Sequence, residues 1–166
     1  MNTCENLIAW KLRPDASMPV RSTQEAAGYD IRFCPVEQTP EGIILPSPGM
    51  IAQVDGNMVP LLTVVKCPTG IALRIPDGHY GRLAPRSGLG SKGVHVMAGV
   101  IDRDFRGEVC ALLVNLGPTP LRIMPGERMV QLILERCSTP DVEEGDINEM
   151  DNTSRGTGGF GSTGKG

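Results

Sequence analysis

Apolar residues fall in short runs that glycine and proline separate along most of the chain. Runs of this kind, with turn signals about every 8–12 residues, are typical of β-sandwiches, barrels and jelly rolls. The pattern therefore predicts an all-β fold. The predicted strands lie within residues 7–12, 28–33, 42–47, 50–54, 60–67, 70–76, 93–101, 108–116, 120–124 and 129–135.

Two segments leave room for a helix. The apolar residues of GERMVQLILERC, residues 126–137, are too closely spaced for periodicity to distinguish a strand from a helix. The segment RSGLGSKG, residues 86–93, could form one helical turn. Because the chain contains 21 glycines and 14 prolines, no other helix is expected.

Length and composition fit one globular domain. A chain of 166 residues with 40% hydrophobic content can build a core without disulfides or metals. No apolar run approaches the roughly 20 residues needed to span a membrane, and residues 1–15 lack the features of a signal peptide. We therefore expect no membrane contact, and the net charge of −3 gives no reason to expect direct nucleic-acid binding.

The cysteine and histidine positions bear on the compartment and on zinc binding. Five cysteines lie far apart without a CxxC pair, which favours reduced thiols in an intracellular compartment, either cytoplasmic or nuclear. The two histidines, His79 and His95, cannot form a zinc site of the usual spacing.

Charge divides the chain into three parts. Residues 137–154 carry six acidic side chains and no lysine or arginine, which is typical of a solvated linker. We expect this linker to separate a β-barrel domain, residues 1–136, from a glycine-rich C-terminal arm, residues 155–166.

The arm has the sequence RGTGGFGSTGKG. Its composition favours a flexible tail, and the alternative is a loop whose backbone amides wrap a phosphate. Residues 159–165 match the first seven positions of a P-loop, but Gly166 stands where that motif needs Ser or Thr for magnesium. A Walker nucleotide site is therefore excluded.

The chain has only six aromatic residues, and two of them lie outside any expected core. Phe105 lies in a polar turn and Phe160 lies in the arm. Stacking of a nucleobase on an aromatic ring contributes about 1–3 kcal/mol, so these positions suggest contact with a ligand.

Five polar segments stand out, and each alone has an ordinary explanation as a strand end, a turn or a satisfied amide. Together and in this order they resemble the five motifs of the trimeric dUTPase family, the deoxyuridine triphosphate nucleotidohydrolases. The segments are AAGYDI (26–31), PRSGL (85–89), AGVIDRDFRG (98–107), GERMVQL (126–132) and RGTGGFGSTG (155–164).

The resemblance implies a jelly-roll-like distorted β-barrel that forms a homotrimer with a mobile C-terminal arm, and it makes residues 129–135 a strand. Three subunits would share three active sites, with the motif-three hairpin holding the nucleoside. The implied reaction is the Mg²⁺-assisted hydrolysis of dUTP to dUMP and pyrophosphate. This reaction limits uracil in DNA and supplies dUMP for dTMP synthesis.

The resemblance also implies roles for individual residues. Asp102 matches the motif-three aspartate, which orients and deprotonates the attacking water. The implied phosphate contacts are Arg86, Ser87, Gly88, Gln131, Arg155, Gly161, Ser162 and Thr163. The implied uracil and deoxyribose contacts are Gly99, Phe105, Cys110 and Phe160, the last reaching over from the arm of another subunit.

The metal and one arginine complete the implied site. Mg²⁺ would be held mainly by the substrate phosphates and by water, with Asp30 assisting through the metal's water shell. Arg128 could contact a phosphate or pair with a carboxylate instead.

Phe105 departs from the family pattern, which usually has tyrosine at this position. The ring that packs against deoxyribose is retained, so we expect exclusion of a 2′-hydroxyl to survive. Backbone groups around Gly99 and Cys110 would form a tight uracil pocket without space for the thymine methyl.

Two alternative functions remain open from the sequence. A dCTP deaminase shares the fold and the trimer but lacks a glycine-rich arm. A non-catalytic dUTPase-like regulatory or interaction protein would be indicated by loss of Asp102 or of the arm, and this sequence retains both.

Overall fold

The structure is a computed structural model that describes residues 5–37, 40–54 and 57–157. These residues are almost entirely β-strands and connecting loops, so the predicted all-β class is confirmed. The strands are β1 Ile8–Lys11, β2 Gly28–Arg32, β3 Ile43–Leu45, β4 Gly49–Val54, β5 Asn57–Leu61, β6 Val64–Pro68, β7 Ile71–Arg74, β8 His79–Pro85, β9 Val94–Met97, β10 Val100–Ile101, β11 Cys110–Asn115, β12 Leu121–Ile123 and β13 Arg128–Arg136. A helical turn, α1, spans Ser87–Gly90, and a 3₁₀ turn spans Ile147–Glu149.

The strands pair antiparallel in several small sheets. The largest sheet has the order β10-β8-β13-β2, and a second has the order β6-β11-β9. Two-stranded sheets join β1 to β7, β3 to β12 and β4 to β5. Most of these pairs join strands that are far apart in sequence, as expected for a barrel rather than a series of hairpins.

The core is aliphatic. Among the aromatic residues of the described ranges, only Phe33 is buried, whereas Trp10 and Phe105 are each 44% exposed. The largest buried side chains are Ile31, Leu45, Ile71, Leu73, Ile75, Leu113, Ile123, Met129 and Leu132. Except for Ile75, which follows β7, they come from strands of four different sheets, β2 and β13, β11, β7, and β3 and β12, so one core connects these sheets.

Strand β13 resolves the ambiguity between helix and strand in favour of strand. It pairs with β2 along one edge and with β8 along the other. A strand that is covered on both faces reads as a nearly continuous apolar run, which explains the dense pattern. The segment 86–93, which left room for one helical turn, contains the turn α1.

The apolar pattern did not predict β8. It also predicted one strand in two places where the structure has two strands. His79, Gly81 and Arg82 interrupt the apolar pattern of β8. A Cβ atom at Gly81 would lie 3.0 Å from a side-chain carbon of Leu132 on β13, so the packing there is tight. The run 93–101 is broken between β9 and β10 at Ala98, whose φ is +47°, and the run 60–67 is divided between β5 and β6.

The acidic segment follows β13 and remains outside the core. Every residue from 137 to 157 is exposed, which agrees with a solvated linker. The division into domain, linker and arm stays a prediction. Neither helical segment of the described ranges has the length and apolarity to cross a bilayer.

Candidate active site

A concave pocket of about 470 Å³ opens where β10 ends and β11 begins. We call it the Asp102 pocket, because it contains the predicted catalytic aspartate together with two predicted nucleoside contacts, Phe105 and Cys110. Its lining residues are Lys66, Leu83, Ala98, Val100, Ile101, Asp102, Phe105, Glu108, Val109, Cys110 and Leu112.

The turn 102–107 carries Asp102 and Phe105 outside the core. The Phe105 amide donates to the Asp102 carbonyl over 3.2 Å, which closes the turn. Arg106 Nη1 donates to the carbonyls of Arg103 and Phe105 at 2.7 and 2.9 Å. A Cβ atom at Gly107 would lie 2.6 Å from the Phe105 ring, so glycine is required for the ring to occupy this place.

The strands beside the pocket belong to different sheets. β10 pairs with β8, whereas β11 pairs with β6 and β9. Gly99, directly before β10, lies close against β8, because its carbonyl accepts the Leu83 amide at 2.8 Å and a Cβ atom there would lie 2.6 Å from the Leu83 carbonyl oxygen. Cys110 is half-buried, and burial raises the pKa of its thiol.

A second group of predicted residues meets on the largest sheet. We call Ser22, Asp30, Arg86 and Arg128 the Asp30 cluster. Asp30 Oδ1 accepts Arg86 Nε at 2.7 Å. Asp30 Oδ2 accepts the Ser22 hydroxyl at 2.7 Å and Arg128 Nη1 at 3.1 Å. The alternative of a carboxylate partner for Arg128 is therefore realised in this structure.

The Asp30 carboxylate is held in its charged form. Burial disfavours ionisation, but the bonds from Ser22 and Arg128 and the charge of Arg86 outweigh it and lower the pKa of Asp30 below its usual value. The side chain is only 13% exposed. The cluster thus holds two arginines beside Asp30 on β2: Arg86, which follows β8, and Arg128, which begins β13.

Gln131 lies beside this cluster on β13. It is opposite Asp30 on β2 and opposite Ala84 on β8, and its Nε2 donates to the Pro85 carbonyl at 3.0 Å. A Cβ atom at Gly28 would overlap Oε1 of Gln131, so glycine makes room for the amide. The side chain is half-buried.

Ser87 and Gly88 follow Arg86 as the first residues of α1. Arg86 is the N-cap and contributes only its carbonyl, which accepts the amides of Leu89 and Gly90 at 3.0 and 2.8 Å. The first amides of a helix have no acceptor within it. A Cβ atom at Gly88 would meet nothing within 4 Å, so nothing described in this chain requires glycine there.

The structure brings the predicted residues together in two groups rather than one. Asp102, Phe105 and Cys110 share the Asp102 pocket. Arg86 and Gln131 lie with Asp30 on the largest sheet, and Ser87 and Gly88 continue from it. Arg155 is exposed in a turn at the end of the described chain, while Phe160, Gly161, Ser162 and Thr163 lie outside the described residues.

Comparison with known proteins decides the family. A family model described as dUTPase matches residues 51–164. The deoxyuridine 5′-triphosphate nucleotidohydrolase of Paramecium bursaria Chlorella virus 1 is 44% identical over 160 residues, which is 96% of this chain and 98% of that protein. This chain belongs to the dUTPase family.

Solved dUTPases share the fold. The Staphylococcus bacteriophage 80alpha dUTPase with dUpNHpp matches with a TM-score of 0.74 at 25% identity, covering 97% of this chain and 99% of that chain. A mutant dUTPase of phage phi11 of S. aureus, described with a structural Mg(II) ion, matches with a TM-score of 0.66 at 22% identity, covering 88% and 100%. This dUTPase family member therefore has the predicted jelly-roll-like fold.

Asp30 is the protein group predicted to assist Mg²⁺ in this dUTPase family member. The described residues contain no group of three His, Cys, Asp or Glu side chains that could hold a metal ion. Both carboxylate oxygens of Asp30 already accept hydrogen bonds from Ser22 or the two arginines. A role for Asp30 in the water shell of Mg²⁺ stays a prediction.

The sequence did not predict several residues of the Asp102 pocket and of the Asp30 cluster. Lys66 and Glu108 line the Asp102 pocket, and Ser22 bonds to Asp30. Glu108 directly follows the motif-three segment, so its position near the site could have been suspected. Lys66 and Ser22 carry no local signal, because strand pairing alone brings β6 beside β11 and residue 22 beside β2.

Proposed function

We propose that this chain hydrolyses dUTP to dUMP and pyrophosphate. The observation that carries the proposal is the placement of the Asp102 carboxylate and the Phe105 ring in one concave pocket of a dUTPase-family chain. An aromatic ring can pack on a nucleoside, and a carboxylate beside it can act on a water at the phosphate.

Asp102 is the general base of this reaction. It orients a water molecule and accepts one of its protons while the water oxygen bonds to the α-phosphorus. The bond from that phosphorus to the bridging oxygen breaks, and pyrophosphate leaves with the electron pair. A positioned general base typically contributes 10²–10⁴-fold to such a step.

Arg86, Ser87, Gly88 and Gln131 bind the substrate phosphates. The Nε of Arg86 donates to Asp30, which fixes the orientation of the remaining guanidinium donors of Arg86. The open surface at Gly88 lets a phosphate approach the first amides of α1. From the arm, Arg155 and residues 161–163 would complete the phosphate contacts, and Phe160 would stack on the uracil.

Mg²⁺ assists by neutralising charge on the triphosphate and on the leaving pyrophosphate. The ion prefers six oxygen ligands and usually keeps several waters, which suits a site where phosphate oxygens supply most ligands. Asp30 would contribute through a water of that shell.

The active form is a homotrimer with shared sites. Within the described residues, the lining of the Asp102 pocket includes one cation, Lys66, against two carboxylates, Asp102 and Glu108. A triphosphate needs more positive charge than this pocket offers. The Asp30 cluster and the arm of neighbouring subunits would provide it.

Uracil and deoxyribose are selected by shape and by the hairpin backbone. Gly99 and Cys110 supply backbone groups at the strand ends that flank the turn. The Phe105 ring is exposed in the pocket and would pack against the sugar, so that a 2′-hydroxyl is excluded. A buried site that leaves a hydrogen-bonding group unpaired discriminates strongly against the wrong base.

The free state of the described cysteines fits an intracellular location. The cysteines of the described ranges, Cys34, Cys67, Cys110 and Cys137, are all free. Free thiols persist in the reducing cytoplasm and nucleus.

A pyrophosphate-release assay with dUTP, UTP, dTTP and dCTP side by side tests the function. We expect rapid release from dUTP and little from the other three. Ammonia release from dCTP would instead identify a deaminase, and inactivity towards all four would favour a regulatory protein.

A further inference from the structure

Residues 108–109 connect the exposed Asp102–Phe105 turn back to the barrel. The Val109 amide donates to the Ile71 carbonyl at 2.9 Å, and the Val109 carbonyl accepts the Thr69 hydroxyl at 2.5 Å. Glu108 precedes this junction and follows Gly107, on which the Phe105 ring rests. Glu108 is one peptide bond from Gly107, so a displacement of Glu108 moves the residue on which the ring rests.

Glu108 makes an ion pair with a residue from the other end of the chain. Its Oε1 accepts Arg13 Nη2 at 2.8 Å and the Gly70 amide at 2.7 Å. The same Nη2 donates to the Cys34 carbonyl at 2.6 Å. The side chains are only 19% and 24% exposed, so solvent screens this pair less than a surface pair.

The backbone at Gly70, which donates to Glu108, is tightly packed. Gly70 has a φ of +70°, and a Cβ atom there would lie 2.7 Å from Cβ of Ala16 and 2.9 Å from Sγ of Cys34. Burial opposes ionisation of Glu108, but the bonds from Arg13 and Gly70 outweigh it and lower the pKa of this carboxyl. The carboxylate is thus charged and held from two sides at neutral pH.

We propose that the Arg13–Glu108 ion pair is a positioning device that sets the place of the Phe105 ring in the Asp102 pocket. Glu108 also lines this pocket, so the pair acts at the wall that faces the nucleoside. Neither residue touches the reacting atoms. The inference rests on the proposed function of the pocket and assigns to it two residues that act through Phe105.

The pair should affect substrate binding and sugar choice more than turnover. Asp102 directly follows β10, which is fixed by its pairing with β8. Phe105 lies nearer the other end of the turn, which Glu108 secures. Loss of the Arg13–Glu108 pair should therefore displace the Phe105 ring and leave Asp102 close to its present position.

The test compares full-length Arg13→Met, Glu108→Gln, their double variant and Arg13→Lys with the wild type. Steady-state pyrophosphate release is measured with dUTP and UTP. Because a displaced ring loses part of its contact with the nucleoside, we expect Arg13→Met and Glu108→Gln to raise KM for dUTP about tenfold. The preference for dUTP over UTP should fall by about tenfold, with kcat changed by less than about threefold.

Controls separate positioning from loss of stability. Arg122→Met removes another arginine with a distant partner, the Glu41 carbonyl, on the β3–β12 sheet, and it should leave KM and sugar preference unchanged. Arg13→Lys should restore most of the preference, and the double variant should be no worse than the worse single variant, since both remove one interaction.

Unchanged sugar preference in variants with a lowered Tm would overturn the proposal and leave the pair a stability element. If Arg13→Met does not fold, the nearly isosteric Glu108→Gln variant decides the question by the same measurements. Failure of the wild type to hydrolyse dUTP would instead refute the proposed function, so the two failures are distinguishable.

Discussion

The Asp102 pocket and the Asp30 cluster each contain a predicted aspartate, and the two aspartates differ in exposure and in hydrogen bonding. Asp102 is exposed on a turn that is closed mainly by its own backbone bonds. Asp30 is 13% exposed and receives bonds from one hydroxyl and two guanidinium groups. The same residue type is therefore available for chemistry in one place and committed to structure in the other.

The contrast shows how the work of a phosphate-cleaving site can be divided. The pocket offers a concave shape and an accessible carboxylate but little positive charge. The cluster offers oriented arginines whose charge Asp30 partly balances. Substitution of equivalent residues in the two regions should therefore damage different properties of the protein.

Asp102→Asn should give the largest effect on catalysis. The amide cannot accept the water's proton, so we expect kcat for dUTP to fall at least about a hundredfold. Binding of a non-hydrolysable dUTP analogue, measured by calorimetry, should remain nearly normal. Near-normal turnover would remove Asp102 from the role of base.

Deletion of residues 155–166 should abolish most activity while leaving the fold intact. The deleted segment contains one large apolar side chain, Phe160, and lies beyond the barrel strands. Activity should fall because the uracil stack, the Arg155 charge and the glycine amides are lost together. Light scattering should still report a trimer, and full dUTP turnover by the truncated chain would make the arm a passive tail.

Phe160→Ala alone should have a smaller effect than the deletion. If stacking is the main role of the ring, kcat/KM for dUTP should fall by the equivalent of about 1–3 kcal/mol. Steady-state kinetics on the full-length variant checks this. A loss as large as that of the deletion would mean that the ring also orders the rest of the arm.

Asp30→Asn should lower stability and should do so in a pH-dependent way. Hydrogen bonds to a charged group contribute roughly 1.5–3 kcal/mol, so we expect a loss of about 2 kcal/mol in the free energy of unfolding at pH 7. Because the folded-state pKa of Asp30 is lowered, this stability is present above the usual aspartate pKa of about 4 and disappears as pH falls through the folded value.

Urea unfolding of both proteins at pH 7 and at pH 3 measures this difference. The gap between wild type and Asp30→Asn should narrow at the lower pH. Asp102→Asn is the matched control, since the same substitution at an exposed side chain should change unfolding by less than about 0.5 kcal/mol. A constant gap across pH would show that the Asp30 charge contributes nothing to folding.

Arg103→Gln should have the smallest effect. Arg103 Nη1 pairs with Asp77 Oδ1 at 2.8 Å on the outer side of the Asp102 turn, where the two side chains are 59% and 39% exposed. Exposed pairs contribute at most about 1 kcal/mol, so stability and dUTP kinetics should stay close to wild type. A large rise in KM would mean that the outer pair also positions the turn, which would weaken the contrast with Arg13–Glu108.

The fold class followed from the sequence because turn residues and short apolar runs are local properties. Strand β13 matches the predicted run 129–135 within one residue at each end, and α1 lies inside the segment 86–93 that left room for a helical turn. Strand β8 was missed because Gly81 and Arg82 break the apolar pattern. The division of residues 93–101 at Ala98 was also missed. The positive φ of Ala98 leaves no trace in composition, because alanine rarely adopts this conformation.

The sequence by itself determined the chemistry that is available: Asp102, Phe105 and Arg86 in an ordered set of motifs, and an acidic segment before a glycine-rich arm. Only the tertiary structure decided that Arg86 and Arg128 share one carboxylate and that Arg13 holds Glu108, 95 residues away. Such partners depend on strand order and register across the whole barrel. Many residue pairs of the right charge exist along the chain, and packing of the core selects which of them meet.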